Sequence, residues 1–391
     1  MKLNNIAKYV EEKISSEQIL IENYVTTDCI LPDKQGRTIA TNLPLQKCTL
    51  TKYKKGDVLV ANIRPYLKKI WLANGEGGAS NDVLVFRAKE KNSSAFLYAV
   101  LQQDAFYDWI MKAPRGTRMP RGDKNHIMRF SVADIKDSDK IGNLILNLDK
   151  KIALNREINA NLEALAKQLY DYWFVQFDFP DANGKPYKSS GGKMVYNEKL
   201  KREIPEGWEY GDLSDIANIT MGQSPDGKSY NDKGDGILFY QGSTDFGELF
   251  PGVRQYTTEP SRFAKKGDIL MSVRAPVGAL NIANNDCCIG RGLASLSSKL
   301  GSITHLYCVM LSFKDMFDRM SDVGTTFGSI TKDELHKLSI VKPNQKVIML
   351  FEKKCKPIFD QQMIIGEEIV SLTRQRDELL PLLMNGQVSV G

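Results

Sequence analysis

The chain has 391 residues, of which 42% are hydrophobic and 26% charged, with a formal net charge of +6. This length is too great for one ordinary hydrophobic core and predicts two or three domains. The amino terminus has no apolar run of signal-peptide length. The longest charge-free stretch, residues 300–313, is shorter than the roughly 18–20 residues of a membrane span. We therefore expect a cytoplasmic protein with no membrane partner.

The first predicted domain, residues 1–136, contains two basic windows. Residues 52–69 and 112–129 each hold six lysines and arginines against a single acidic residue. Arginines beside glycine and proline predict exposed guanidinium groups, which bind phosphate or the edge of guanine. One charged window is usually only a solvated surface, but two in one domain favour DNA contact. The candidate DNA-binding residues are Arg64, Tyr66, Lys68, Arg115, Arg118, Arg121 and Lys124.

Residues 137–178 follow with the period of a long amphipathic helix. One heptad frame contains Ile141, Leu144, Leu148, Ile158, Leu162, Leu165, Leu169 and Tyr172. Lys151 and Asn155 interrupt that apolar stripe. A heptad pattern of this length is typical of a coiled coil, in which polar core residues fix register at some cost in stability.

Residues 179–207 are rich in Gly, Pro, Ser and Lys and are predicted to be a linker. The second predicted domain, residues 208–342, contains Gly222–Ser229, which fits the spacing of a phosphate-binding loop. That motif requires a helix after the loop, but residues 230–236 have the composition of a turn. We therefore favour a surface loop that presents Gln223, Ser224 and Lys228 to DNA, with Arg274 and Arg291 as further candidates.

The second long helix is predicted within residues 343–391. Its heptad frame contains Ile348, Phe351, Cys355, Ile358, Ile365, Ile369, Leu372, Leu379 and Leu383, with Gln362 and Arg376 as polar interruptions. Because each long helix ends one half of the chain, we expect the two to pair antiparallel within the molecule. The predicted fold class is thus α+β: two globular mixed domains separated by an intramolecular coiled coil.

The two halves form a predicted internal repeat with pseudo-two-fold symmetry. Lys54–Leu59 (KKGDVL) recurs as Lys265–Leu270 (KKGDIL), and the matching positions stay 208–211 residues apart. Lys-Gly-Asp followed by an apolar run predicts a turn that leads into a strand. Matches that keep their order and spacing predict a shared scaffold. Residues 20–50 and 221–262 share little, so each copy is predicted to carry a different surface.

Three stretches resemble the specificity (S) subunits of type I restriction–modification systems. They are Asn161–Phe174 with Asp178–Pro180, Ile204–Glu209, and Arg376–Gly386. These stretches look like the central and C-terminal helical regions of that family. Together with the repeat, the resemblance covers nearly the whole chain.

The resemblance implies two target-recognition domains that read the halves of a split DNA site, with the helices as spacer. It implies two methyltransferase (M) subunits and two restriction (R) subunits as partners. S-adenosylmethionine and ATP with Mg²⁺ would be used by those partners, and this chain would be non-catalytic and bind no cofactor or metal. It also places Thr117, Thr325 and Thr326 in the family's Gly-Thr loops near the DNA.

The residues themselves leave two alternative functions open. The first is an autonomous NTPase that uses the loop at 222–229. The second is a structural coiled-coil adaptor with no role in DNA binding.

Overall fold

The computed structural model describes residues 1–116, 119–322 and 328–390. The chain divides into two compact units, of which unit 1 comprises Met1–Glu157 with Glu367–Gly391 and unit 2 comprises Ile158–Gly366. The first long helix (Ser138–Tyr170) and the second long helix (Gln345–Met384) each contribute one segment to each unit. The division therefore falls inside the long helices and not at the predicted domain boundaries.

Unit 1 mixes short helices with strands, as predicted for the α+β class. In chain order its elements before the first long helix are α1 (Leu3–Ile6), β1 (Ala7–Tyr9), β2 (Lys13–Ser15), β3 (Tyr24–Val25), β4 (Thr49–Tyr53), β5 (Val58–Ala61), β6 (Ile70–Leu72), β7 (Gly77–Ala79), β8 (Val83–Ala88), α2 (Ser94–Gln102), α3 (Asp104–Met111), β9 (Pro114–Arg115), β10 (Arg121–Gly122) and α4 (Lys124–Ile127). One sheet has the order β1-β8-β5-β6, a second has the order β2-β4-β7-β3, and β9 pairs with β10.

The predicted turn before β5 is present in unit 1. Gly56 has a φ of +90°, which only glycine adopts without cost, and the Asp57 carboxylate accepts a hydrogen bond from the Lys54 N–H at 2.9 Å. Asp57 is buried and forms a two-point ion pair with Arg87 of β8, at 2.7 and 2.8 Å. The turn thus leads directly into β5, whose four residues are all buried.

Unit 2 has a similar mixture of elements. Between the long helices these are β11 (Met194–Asn197), β12 (Arg202–Pro205), β13 (Glu209–Asp212), α5 (Leu213–Ile216), β14 (Ala217–Met221), β15 (Tyr230–Asn231), β16 (Ile237–Tyr240), β17 (Tyr256–Thr257), β18 (Phe263–Ala264), β19 (Ile269–Ser272), β20 (Leu280–Ile282), β21 (Cys287–Ile289), β22 (Leu293–Ser298), α6 (Ile303–Asp322), α7 (Lys332–His336) and β23 (Ser339–Lys342). The sheets have the orders β14-β22-β19-β20 and β15-β17-β16-β21-β18, and β11 pairs with β12 and β13 with β23.

One sheet in each unit follows the same plan. The order β1-β8-β5-β6 in unit 1 matches β14-β22-β19-β20 in unit 2, and all of these pairs are antiparallel. Each strand of the second sheet begins 210 or 211 residues after its counterpart in the first. Residues about 210 positions apart in the chain therefore lie at the same place in the two sheets.

The segment predicted to be a linker, residues 179–207, is folded. It contains the β11–β12 hairpin, and its aromatic residues join a buried cluster within unit 2. Phe179 stacks on Trp208 at 4.9 Å and on Tyr187 at 4.7 Å between ring centroids. Composition alone missed this because a few aromatic rings supply enough buried area to order a segment that is otherwise polar.

The buried stripe of the first long helix differs from the predicted one. Ile145 and Ile152 are fully buried, whereas Ile158, Leu165 and Tyr172 are more than one-third exposed. The observed and predicted stripes both contain Ile141 and Asn155. Between these, however, the buried residues are Ile145 and Ile152, each one residue after the predicted positions 144 and 151. Both frames contain apolar residues at this spacing, and packing selects between them.

The second long helix follows its predicted stripe more closely. Its buried residues include Ile348, Phe351, Cys355, Ile365, Ile369 and Leu383, and the polar residues Gln362 and Arg376 are only 3% exposed. No helix in the described ranges is both long and apolar enough to cross a membrane.

Candidate nucleic-acid interface

In unit 1, two of the candidate residues, Arg64 and Arg121, lie together where β5 ends and β8 begins. We call this edge 1 and define it by Arg64, Asp82 and Arg121. The Asn62 N–H donates to the Asp82 carbonyl at 2.8 Å, which joins the two strand ends. The Asn62 side chain also bonds to both the N–H and the carbonyl of Gly122, at 3.1 and 3.3 Å. These contacts bring residues about 60 positions apart in the chain to one edge.

Arg64 and Arg121 are the exposed cations of edge 1. Arg64 adopts a left-handed conformation (φ 50°), and its N–H donates to the Pro120 carbonyl at 2.9 Å. Arg121 pairs with Ile63 in a bridge and forms a 3.1 Å ion pair with Asp82. Because Arg121 is half exposed, this ion pair contributes little stability and leaves the guanidinium accessible.

The remaining described candidates of unit 1 have different environments. Tyr66 is 52% exposed beside Arg64. Lys68 is partly buried, and its ammonium is 2.8 Å from the carboxylate of Asp104. Although burial acts to raise the pKa of Asp104, its bonds with Lys34 and Lys68 lower it. Lys68 is therefore held in an ion pair and is a weaker candidate for a DNA contact.

Lys124 begins α4 and lies beside Tyr9. Its ammonium is 5.9 Å from the centre of the tyrosine ring, and the Tyr9 hydroxyl donates to the Lys124 carbonyl at 3.0 Å. Burial, with the nearby Asp123 carboxylate, raises the pKa of Tyr9, so the hydroxyl stays a neutral donor. Lys124 itself is exposed.

In unit 2, the predicted residues meet where β14 and β19 end and β22 begins. We call this edge 2 and define it by Gln223, Ser224, Arg274 and Arg291. The Gly222 N–H donates to the Leu293 carbonyl at 2.9 Å, and the Val273 N–H donates to Gly292 at 2.9 Å. A Cβ on Gly222 would lie 2.2 Å from the Gly290 carbonyl oxygen, so only glycine permits this close approach.

Ser224 is a hydrogen-bonding centre of edge 2. Its hydroxyl accepts from the Gln241 amide at 2.9 Å and from the Arg291 N–H at 3.3 Å. The Gln241 N–H in turn donates to the Asp245 carboxylate at 2.7 Å. These bonds fix the backbone of Arg291, while its side chain is exposed.

Arg274 lies on the opposite strand end of edge 2. It forms a bridge with Ser329, and the Ala275 N–H donates to the Gly328 carbonyl at 3.2 Å. The equivalent bridge in unit 1 joins Ile63 to Arg121. The side chains of Arg64, Arg274 and Arg291 form no ion pair with any residue in the described ranges, so their positive charges are available to a ligand.

Four candidates lie outside the described residues: Thr117, Arg118, Thr325 and Thr326. The backbone of Arg115 is described, and it pairs with Arg121 in the β9–β10 ladder. The DNA-binding roles of all the candidate residues remain predictions.

Comparison with known proteins shows what this chain is similar to. Residues 205–354 match the type I restriction modification DNA specificity domain. The chain is 36% identical over 191 residues to a protein from Methanocaldococcus jannaschii named as the MjaX type I restriction enzyme specificity subunit, a match covering 48% of this chain and 45% of that one. It is 23% identical over 375 residues to the MjaIX specificity subunit of the same organism, covering 91% and 83%.

A solved structure shares the fold. The S subunit of a type I restriction–modification system from M. genitalium is 14% identical, with a TM-score of 0.59, and the match covers 100% of this chain and 96% of that one. Over most of its length the chain is thus similar to type I specificity subunits, and residues 205–354 match their specificity domain. The segment that matches the specificity-domain family contains all of edge 2.

The loop that resembles a phosphate-binding motif does not have the structure of one in this chain. Gly227–Ser229 forms a single 3₁₀ turn and leads into β15, so no α-helix begins there. Lys228 is exposed, and its N–H donates to the Asp226 side chain at 2.9 Å. Without a helix N-terminus, the loop lacks the row of N–H groups that cradles a nucleotide phosphate.

Sequence reasoning missed Asn62, Asp82 and Gln241. Asn62 and Asp82 join the strand ends at edge 1, and Gln241 positions Ser224 at edge 2. A weak signal for Gln241 was present, because it directly follows an apolar run that forms β16. Its partner Ser224 is 17 residues away in sequence, and nothing local predicts their contact.

Proposed function

We propose that this chain is the DNA sequence-specificity subunit of a type I restriction–modification complex. The observation that carries the proposal is edge 2, where Gln223, Ser224, Arg274 and Arg291 converge within the family-matched segment. Exposed arginines and amides are the groups that read base edges and bind phosphates. Edge 1 supplies a second such surface at the equivalent position of its sheet.

We further propose that the target is bipartite and asymmetric. Edge 1 presents Arg64 and Arg121, whereas edge 2 presents Gln223, Arg274 and Arg291. An equivalent scaffold with different side chains supports two half-sites of different sequence, because base readout depends on the side chains and not on the sheet.

The spacer between the half-sites is proposed to be an antiparallel coiled coil formed by the long helices. In unit 1, Asp149 bonds to Arg376 at 2.9 Å and Asn155 bonds to Glu368 at 2.8 Å. In unit 2, the Asn159 amide is 3.3 Å from the Gln362 carbonyl. Within unit 1, the residue number on the second long helix falls from 376 to 368 as that on the first long helix rises from 149 to 155. This supports antiparallel pairing there.

We assign the chemistry to partner subunits. Two methyltransferase subunits would use S-adenosylmethionine, and two restriction subunits would use ATP with Mg²⁺. The described residues contain no group of three or more His, Cys, Asp or Glu that could hold a metal ion. The 3₁₀ turn at Gly227–Ser229 gives the NTPase alternative no support. A non-catalytic subunit in the cytoplasm is the function that we propose.

The test is methylation by the complex of this chain with its methyltransferase subunits. We expect methylated DNA to share one split motif, found by sequencing modified genomic DNA. Replacement of Arg274 and Arg291 by alanine should relax or abolish one half of the motif and leave the other half intact. A wild-type complex that methylates without sequence preference, or a variant that changes both halves equally, would contradict the proposal.

A further inference from the structure

Arg376 is an unusual residue for its position on the second long helix. Its side chain is 3% exposed, and it forms ion pairs with Asp149 and Asp377, each at 2.9 Å. Although burial acts to lower the pKa of Arg376, the two carboxylates raise it, so the guanidinium stays charged. A buried charge persists only where its partners are held in place.

The Arg376 pair is connected to the globular part of unit 1. The second oxygen of the Asp149 carboxylate accepts a hydrogen bond from the amide of Gln102, which is fully buried at the end of α2. Asp149 thus joins the first long helix, the second long helix and α2 at one point. Hydrogen bonds to charged groups are among the strongest and most directional in proteins.

The same network reaches the loop that carries edge 1. Asp377 lies 3.7 Å from the buried ammonium of Lys34, which bonds to Asp104 of α3 at 2.8 Å. The other Asp104 oxygen bonds to Lys68 at 2.8 Å. Lys68 ends the one-turn helix Pro65–Leu67 that follows Arg64. A continuous set of ion pairs therefore links the long helices to the backbone of Arg64 and Tyr66.

Unit 2 attaches its long-helix segment by a different contact. Glu352 of the second long helix accepts hydrogen bonds from Ser302 and Thr304, at 2.6 and 2.5 Å, at the start of α6. Gly142, which lies 210 residues earlier, packs directly on the backbone of α2, where an added Cβ would be 2.4 Å from the Phe96 nitrogen. The position 210 residues before Arg376 is Ala166, which cannot form such ion pairs, so the Arg376 network belongs to unit 1.

We propose that Arg376 and Asp149 are positioning residues that set the orientation of edge 1 on the long helices, and so determine which half-site spacing is accepted. This inference rests on the proposed DNA-specificity function. Apolar packing tolerates small sliding and rotation, whereas bonds to a buried guanidinium require one geometry. The network thus fixes the angle at which Arg64 and Arg121 are presented.

The test compares four subunits, each assembled with the methyltransferase subunits. They are the wild type, the double variant Asp149→Leu/Arg376→Met, the variant Lys34→Met, and the control Arg374→Met. Replacing both members of a buried ion pair with apolar residues usually preserves stability. Lys34→Met removes the contacts with Asp104 and Asp377 without changing any residue of the long helices. Arg374 forms an exposed pair with Glu378 on the same helix, at 2.7 Å.

Each complex is incubated with a DNA library in which both half-sites and the spacer vary, and the methylated molecules are sequenced. We expect the double variant and Lys34→Met to lose spacer discrimination by on the order of tenfold, measured as the native spacer against spacers one base pair shorter or longer. Lys34→Met should keep a melting temperature close to that of the wild type, whereas the double variant should melt somewhat lower but cooperatively, because the buried Gln102 amide loses its acceptor. Arg374→Met should behave as the wild type.

The outcomes separate the two claims. Wild-type methylation without any motif would overturn the proposed function. A specific wild type together with unchanged spacer discrimination in both network variants would overturn only the positioning role. A uniform loss of methylation at every spacer would also overturn it, because a positioning residue must change the preference between spacers.

Discussion

At the scale of single residues, the geometry of edge 2 depends on the side-chain amide of Gln241. Gln241 acts on the proposed binding surface indirectly, through its hydrogen bond to Ser224. Gln241 donates to the Ser224 hydroxyl, and a Cβ on either Gly290 or Gly292 would lie about 3 Å or less from Gln241. The glycines therefore let the turn that carries Arg291, between β21 and β22, approach Gln241 closely. Under the proposed function, this arrangement would orient Ser224 and the Arg291 backbone before DNA binds and so reduce the entropy lost on binding.

We predict that Gln241→Ala weakens binding to the specific DNA site by about 1–3 kcal/mol and leaves non-specific binding unchanged. The reason is that phosphate attraction needs only charge, whereas base readout needs Ser224 and Arg291 in one geometry. Fluorescence anisotropy with specific and random duplexes measures both affinities. The control is Gln375→Ala, on an exposed part of the second long helix. Equal weakening for both duplexes would contradict the prediction.

A second residue-scale prediction concerns His305 in α6. Its side chain is buried among Tyr170, Phe174 and Phe351, and burial lowers its pKa to about 4. The unfolded chain binds the proton near pH 6.5 and the folded chain does not. Stability from this histidine is therefore complete above pH 6.5 and is lost as the pH falls towards 4, by roughly 3 kcal/mol in total.

Urea unfolding at a series of pH values tests this prediction. In His305→Leu, the part of the pH dependence between pH 6.5 and 4 that belongs to this histidine should disappear. If the wild type and the variant lose stability in parallel over that range, the buried histidine is not the cause.

At the scale of elements, close helix packing depends on two glycines. A Cβ at Gly142 would lie 2.4–2.7 Å from backbone atoms of Ala95 and Phe96, whereas a Cβ at Gly366 would meet the side chains of Leu249 and Phe250 at 2.8 Å. Side chains can move aside more easily than backbone can. The two positions should therefore respond differently to the same substitution.

We predict that Gly142→Ala destabilises the protein more than Gly366→Ala does. Alanine gains about 1 kcal/mol of helix propensity at either site, but overpacking costs about 1–3 kcal/mol and more where backbone must shift. The exposed Asn147→Ala should change stability by less than about 0.5 kcal/mol. Thermal unfolding ranks the three variants, and equal melting temperatures for both glycine variants would show that the helices adjust freely.

The sequence predicted the elements better than it predicted their partners. The long helices and the Lys-Gly-Asp turns follow from local periodicity and turn chemistry, and the second long helix keeps its predicted stripe. In the first long helix, two frames one residue apart were both apolar, and only packing decides that Ile145 and Ile152 are buried while Ile158 is exposed. Periodicity cannot resolve such a choice, because it describes one helix without its neighbours.

The candidate site was predicted in part for a related reason. Arginines beside glycine and proline gave a local signal, so Arg64, Arg121, Arg274 and Arg291 were found. That Lys68 forms an ion pair with Asp104 could not be foreseen, since Asp104 is 36 residues away and comes near it only through the fold. Local patterns indicate which side chains are available, and the strand order decides which of them meet.

At the scale of the whole molecule, each globular part is attached to its long-helix segment by specific polar or close contacts. Unit 1 uses the Arg376 network and Gly142, and unit 2 uses Glu352. The two units thus share a strand order, but their globular parts contact the long helices through different residues. A change in the length of the proposed coiled coil should therefore alter the half-site spacing without altering what either edge reads.

We predict that deleting residues 156–162 together with 361–367 shortens the gap in the DNA target by about three base pairs. Seven residues are close to two helical turns, so the buried stripe keeps its phase, and the loss is about 10 Å, against about 34 Å for each ten base pairs of DNA. The contacts Asp149–Arg376 and Asn155–Glu368 lie outside the deletions. Sequencing of methylated genomic DNA should recover both original half-sites with the shorter gap.

Deleting the heptad from one helix alone breaks the pairing and should abolish specific methylation. An unchanged gap in the double deletion would mean that the long helices do not set the spacing.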